Sequence, residues 1–176
     1  MAPRVVYYAA ASLDGRIAGP DHDLSFLETL AGGGGYAEFY ARIDSLVMGA
    51  GTWRFVVRHG SWPYDGKPSW VVTHAPELEP LPGAEGVVPF AGDVRELVEL
   101  IGSRGFGRTW LVGGGDLAAQ FLAADLLDEL ELAIAPTFVG QGPALADGDF
   151  PLRRFSLLET SRLGADGVVL RYERSR

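Results

Sequence analysis

Residues 108–122 limit the possible folds of this chain more than any other stretch. They read Arg108-Thr109-Trp110-Leu111-Val112-Gly113-Gly114-Gly115-Asp116-Leu117-Ala118-Ala119-Gln120-Phe121-Leu122. Trp110, Leu111 and Val112 are apolar without alternation, which predicts a strand covered on both faces. Leu117, Phe121 and Leu122 then share one face of a helix, with Asp116 placed to cap it. Between strand and helix stand three glycines, where a turn needs one or two. The surplus lets the backbone approach something closely. The N–H groups of such a turn and helix start favour an anion, typically a phosphate. A tight turn without a ligand is the alternative reading.

The rest of the chain repeats this pattern. Residues 5–11, Val-Val-Tyr-Tyr-Ala-Ala-Ala, predict a first and central strand. It runs into a loop, Ser12 to Pro20, with an Asp-Gly turn signal in which Asp14 is either a turn former or a catalyst. Residues 21–35 read as loop and end in Gly32 to Gly35, either a solvated segment or a flap over a pocket. Tyr36, Phe39, Tyr40 and Ile43 are spaced for a short helix. Residues 45–48 predict a second strand. Gly49-Ala50-Gly51-Thr52-Trp53 is then a second strand-to-helix turn of small residues, and Thr52 offers a hydroxyl to a phosphate. Residues 58–68 read as loop. Strands are expected over 69–73 and 86–90, the latter held to an edge or end by Pro89. His74 is either a solvated strand-end residue or a ligand contact. Asp93-Val94-Arg95-Glu96 is a capping box in aspartate form, opening a helix with Val94, Leu97, Val98 and Ile101 on one face. A strand over 130–135, a long loop over 136–149 and a hairpin about Ala165-Asp166-Gly167 complete the chain.

Alternating strands and helices followed by a hairpin predict an α/β domain with a mostly parallel sheet and an antiparallel hairpin at one edge. The turns at 49–52 and 113–117 would both lie at carboxyl ends of parallel strands, on one rim. Two phosphate cradles on one rim suggest a dinucleotide. The formal net charge of −8 argues against nucleic-acid or anionic-membrane partners. The absence of cysteine excludes disulfides and thiolate metal sites, and His22, His59 and His74 lack metal-ligand spacing. No apolar run approaches a membrane span and no signal pattern opens the chain, so one domain over residues 1–176 in the cytoplasm is the expectation.

Several of these segments together resemble a known family. Val47-Met48-Gly49-Ala50-Gly51-Thr52-Trp53 and Leu111 to Leu122 are similar to the two cofactor segments of dihydrofolate reductases. Ser12-Leu13-Asp14-Gly15-Arg16-Ile17-Ala18 and Ala135 to Leu145 resemble the C-terminal reductase domain of the bacterial riboflavin-pathway deaminase/reductase. Order and spacing match over roughly residues 5–173. The resemblance implies a dihydrofolate-reductase-like α/β fold with helices on both faces of a mostly parallel sheet. It also implies an NADPH-dependent reductase acting on a small molecule, of the 5-amino-6-(5-phosphoribosylamino)uracil reductase type, and a homodimer. Carried over by position, Ala10, Ile17 and Ala18 would lie beside the nicotinamide. Gly49, Gly51 and Thr52 would meet the pyrophosphate at one helix start. Gly113, Gly114, Gly115, Asp116 and Leu117 would meet it at the other, with a cis peptide between Gly113 and Gly114. Thr73 and His74 would fall at the adenosine end.

Two departures from the family pattern bear on function. Ala50 stands where the family carries a phosphate-holding Arg, and alanine supplies no donor. His74, Arg54 and Arg58 are the candidates to compensate. The acidic residue that dihydrofolate reductases use for the pterin would fall near Gly33, where no carboxylate matches, which weighs against folate as substrate. Hydride transfer to a pyrimidine or pterin-type compound also needs a proton source, and Asp14, Tyr36 and Glu38 are the nearest candidates in sequence. A dihydrofolate-reductase-like activity stays open as an alternative, and so do two other readings. Gly113-x-Gly115-x-x-Ala118 also fits a Rossmann fingerprint with Glu131 as the ribose acid, which would suit an NADH-using enzyme. A non-catalytic ligand-binding relic of the fold is the third. Trp110 suits the core, whereas Phe138 and Phe155 suit either core or interface.

Overall fold

In the computed structural model, which describes residues 2–30, 35–64 and 66–175, the first strand, β1 (Arg4–Ser12), buries both of its faces. Side chains alternate across a strand. Val5 and Tyr7 therefore join one cluster, with Leu97, Ile101, Leu117 and Phe121, while Val6 joins the opposite one, with Phe39, Ile43 and Trp110. This two-sided burial is why the strand reads as continuously apolar and not as alternating.

Among the described residues eight strands form one sheet. In chain order they are β1, β2 (Ser45–Gly49), β3 (Ser69–Val72), β4 (Val87–Phe90), β5 (Arg108–Gly113), β6 (Glu129–Ala135), β7 (Phe155–Leu163) and β8 (Gly167–Arg174). Their order across the sheet is β4-β3-β2-β5-β1-β6-β8-β7. The pairs from β4 to β6 are parallel, and β8 is antiparallel to both β6 and β7. The expected central position of β1 holds, as does the closing hairpin. Helices α3 (Val94–Ser103) and α4 (Gly115–Ala123) pack on one face. Helices α1 (Tyr36–Ala41) and α2 (Ala50–His59) pack on the other.

Local chemistry accounts for most element ends. Asp93 caps α3 by accepting a hydrogen bond from Arg95 N at 2.7 Å. Gly60, at φ +74°, stops α2 in the left-handed conformation, one residue beyond His59, so α2 runs further than a loop starting at Arg58 allows. Asp116 does not cap α4. The helix begins at Gly115 with Gly114 as its extended N-cap, because the glycine run lets the backbone turn without side-chain help. Residues 20–22 and 25–30, expected as loop, form two 3-10 turns, the second anchored by buried Phe26. Such short turns leave no helical period in a sequence. Of the predicted flap, Gly32 to Gly34 lie outside the described residues, as does the position near Gly33. Gly35 flanks α1 at φ +105°.

Candidate active site

β2 and β5 are parallel neighbours, so the turns that follow them emerge side by side. β2 ends at Gly49 and α2 starts at Ala50; β5 ends at Gly113 and α4 starts at Gly115. A Cβ added at Gly49 would lie 3.7 Å from Gly114 N and 3.7 Å from the Leu117 Cβ. The Thr52 hydroxyl faces the same point, 3.8 Å from the Cβ positions of both Gly113 and Gly114, across their cis peptide. Neither helix has a side-chain N-cap. Two sets of free N–H groups and two dipole ends therefore converge on one place, an arrangement that favours an anion.

A cleft of about 1050 Å³ runs along this rim. Ala10, Ile17, Ala18, Gly49, Gly51 and Thr52 all line it. So do Thr73, His74, Gly114, Gly115, Asp116 and Leu117, whereas Gly113 does not line it. At one end Thr73 accepts from Ala75 N at 3.1 Å, fixing the turn that carries His74 beside Phe90. Asp116 and Asp147 add negative charge to the wall, so an anion here depends on backbone N–H groups and on Arg54, one helical turn beyond Ala50.

The three residues expected to supply a proton do not line the cleft. Asp14 is a tether. Its carboxylate accepts from Ser12 Oγ at 2.7 Å, from Val139 N at 3.0 Å and from Gly140 N at 2.7 Å. The Ser12 hydroxyl first, then the two backbone N–H groups, hold its pKa well below the usual carboxylate range. A carboxylate so held carries no proton to give near neutrality. Tyr36 stacks with Tyr40 on α1, and Glu38 is exposed on the same helix.

The Asp14 tether belongs to a larger clasp between residues 12–19 and 136–147. Leu13 N donates to Thr137 O at 2.9 Å, Ile17 N to Pro143 O at 3.0 Å and Leu145 N to Gly15 O at 2.8 Å. Arg16 Nη1 donates to Gly142 O at 2.9 Å. The second loop also rests on α4, where Asp147 N donates to Gly115 O at 3.1 Å. Contact is so close that a Cβ at Gly115 would come within 2.2 Å of Ala144 O. The clasp sets the positions of Ile17 and Ala18 along the cleft.

Beyond Thr52 the cleft has walls that the sequence does not single out. Phe55, Val56 and His59 follow Thr52 at helical spacing along α2 and all line it, a stripe visible in the sequence once α2 is extended to His59. Tyr8, Tyr64 and Trp110 form the other wall. Trp110 is buried in the core, as expected, and its Nε1 donates to Tyr8 O at 3.0 Å. Burial pushes the Tyr64 phenol well up, and burial followed by the nearby Glu131 and Tyr36 raises Tyr8. Glu131 itself is paired with Arg42 and Arg171 at 3.7 and 3.5 Å and does not reach the cleft, which removes the ribose acid that the Rossmann reading needs. Phe155 packs against the core, while Phe138 is exposed.

Comparison with known proteins agrees with this architecture. The uncharacterised Bacillus subtilis (strain 168) protein YwjB is 29% identical over 178 residues, covering 99% of this chain and 100% of YwjB. A solved Shewanella sp. PV-4 structure, provisionally ascribed to riboflavin biosynthesis, superposes with a TM-score of 0.89 at 27% identity, with full coverage of both chains. Dihydrofolate reductase from Enterococcus faecalis, solved with NADP(H), superposes with a TM-score of 0.66 at 17% identity, covering 98% of this chain and 97% of that one. The fold is dihydrofolate-reductase-like. Residues 56–169 match the RibD C-terminal domain family. That match spans more than half of the chain, in keeping with the strand order and paired glycine turns already described, and the chain belongs to the RibD C-terminal domain family.

Proposed function

We propose that residues 1–176 form one NADPH-dependent reductase domain of the riboflavin-biosynthesis type, transferring hydride to a pyrimidine- or pterin-type compound. The observation that carries this reading is the pair of uncapped helix starts, α2 and α4, meeting beside Thr52 on one rim of the cleft. These residues fit a dinucleotide. The N–H groups at Gly49 to Thr52 and Gly113 to Leu117 would hold the pyrophosphate. Backbone groups of Ala10, Ile17 and Ala18 would hold the nicotinamide carboxamide, and Thr73 and His74 the adenosine end. When bound, the nicotinamide supplies the hydride.

The protein's own part is alignment and exclusion of water. The clasped loops fix Ile17 and Ala18 on one side, and the α2 stripe fixes Phe55 and Val56 on the other. The reduced centre also takes up a proton. Among the described residues, His22, His59, Tyr8 and Tyr64 are titratable side chains that line the cleft away from His74, and these take the place of Asp14, Tyr36 and Glu38 as its candidate sources.

Ala50 supports a second reading, an NADH-using reductase, because no guanidinium stands at that position to hold a further phosphate. Titration of the protein with NADPH and with NADH, followed by fluorescence of its four tryptophans, separates the two. Tighter binding of NADPH is the expected outcome. Equal or tighter NADH binding favours the second reading, and binding of neither at millimolar concentration overturns the oxidoreductase assignment.

A further inference from the structure

The end of the cleft away from His74 is built from rings. Trp110 meets Tyr64 at 5.2 Å and Tyr8 at 5.8 Å between centroids, both edge to face. Tyr8 is backed by Phe39, stacked at 4.1 Å. Phe55 stands on the facing helix, flanked by His59 at 4.1 Å and His22 at 6.0 Å. Aromatic faces carry negative quadrupole density, which suits a flat ring at stacking distance and repels an anion.

The histidines add directional groups. His59 Nδ1 lies 2.8 Å from the Phe55 carbonyl oxygen. A carbonyl only accepts, so Nδ1 carries the hydrogen and Nε2 of the neutral ring is a free acceptor. Such an acceptor suits the amino or ring N–H groups of an aminopyrimidine or pterin.

Permanent positive charge is scarce here. Among the described residues that line the cleft, Arg54 is the one guanidinium or ammonium group. It adjoins Phe55 in sequence and so points about 100° around the helix from it, off the stripe formed by Thr52, Phe55, Val56 and His59. Lys67 reaches the aromatic cluster, but it donates to Ile43 O and lies 5.1 Å from the Tyr40 ring centroid. Arg42, on the far side of α1, is paired with Glu131. The helix-start N–H groups that favour an anion lie at Ala50 and Gly115, away from these rings, so a phosphate monoester here would depend on cationic side chains, and the net charge of −8 adds repulsion.

We propose that the aromatic end of this cleft takes a flat, uncharged aminopyrimidine- or pterin-like ring whose tail carries no phosphate. The chain thereby differs from the riboflavin-type reductases it resembles, whose substrate is a phosphoribosyl compound. This inference rests on the reading of the other end as the nicotinamide cofactor's site.

The test is calorimetric and has two stages. NADPH is titrated first; failure to bind at that stage sinks the cofactor reading. The NADPH complex is then titrated with 5-amino-6-ribitylaminouracil and, separately, with its 5′-phosphate ester. The unphosphorylated compound binds, and the ester binds at least about tenfold more weakly, the scale of a desolvated charge without a partner. An ester that binds less than tenfold more weakly, or more tightly, overturns the proposal. So does binding of neither compound to the NADPH complex.

Discussion

The Asp14 carboxylate accepts three hydrogen bonds and links two loops far apart in sequence. Asp-Gly in a loop has a local explanation, the turn, and the pairing with Val139 and Gly140 adds a second role that the local pattern does not carry. Because the folded carboxyl is held below its ordinary value of 3.8, its contribution to stability is fully present above that pH and is lost as pH falls towards the depressed folded value. Asp14→Ala is expected to lower Tm at neutral pH and to speed amide exchange at Val139 and Gly140. Thermal scans of both proteins from about pH 7 to about pH 3 should show the Tm gap constant above the ordinary carboxylate value and narrowing below it. A gap unchanged at the acid end would show that the carboxylate charge plays no part in the clasp.

At the scale of elements, the contact between the 136–149 loop and the start of α4 governs the end of the cleft proposed for the cofactor. Gly115 is the first residue of that helix, and its missing Cβ is what admits Ala144 O. Gly115→Ala forces one of two backbones to move. Overpacking of this kind costs about 1–3 kcal/mol, which for a domain of this size corresponds to a Tm loss of roughly 2–12 °C. The shift falls on N–H groups proposed to meet the pyrophosphate, so NADPH affinity should fall by about tenfold or more, the loss of one charge-assisted hydrogen bond or its equivalent. Calorimetry on the folded variant measures this directly, and unchanged affinity would detach the α4 start from cofactor binding.

For the whole molecule, the two sheet edges differ. β4 is short and carries Pro89, which blunts that edge against further pairing. β7 spans nine residues, its outer edge is unpaired among the described strands, and Leu157 and Leu158 are 54% and 52% exposed along it. A long unpaired edge that exposes two adjacent leucines is a site for association. The homodimer that the family resemblance implies is therefore expected to form on β7. Sedimentation velocity should give a dimer, and the double substitution Leu157→Glu, Leu158→Glu should give a folded monomer. A dimer that survives this change would place the interface elsewhere.

Much of this protein was decided by short-range sequence signals. Unbroken apolar runs at 5–8, 46–48 and 110–112 specify strands buried on both faces, and the glycines at 49, 51 and 113–115 specify the turns that follow two of them. These features depend on neighbours a few residues away, so the fold and the two glycine turns on one rim were legible before any coordinates. Tertiary structure alone decided the rest. Asp14 finds its partners 125 and 126 residues along the chain. The aromatic wall draws Tyr8, Phe55, Tyr64 and Trp110 from four separate segments. No local period records such meetings, because which side chains share a cleft is fixed by strand order across the sheet and not by spacing along the chain.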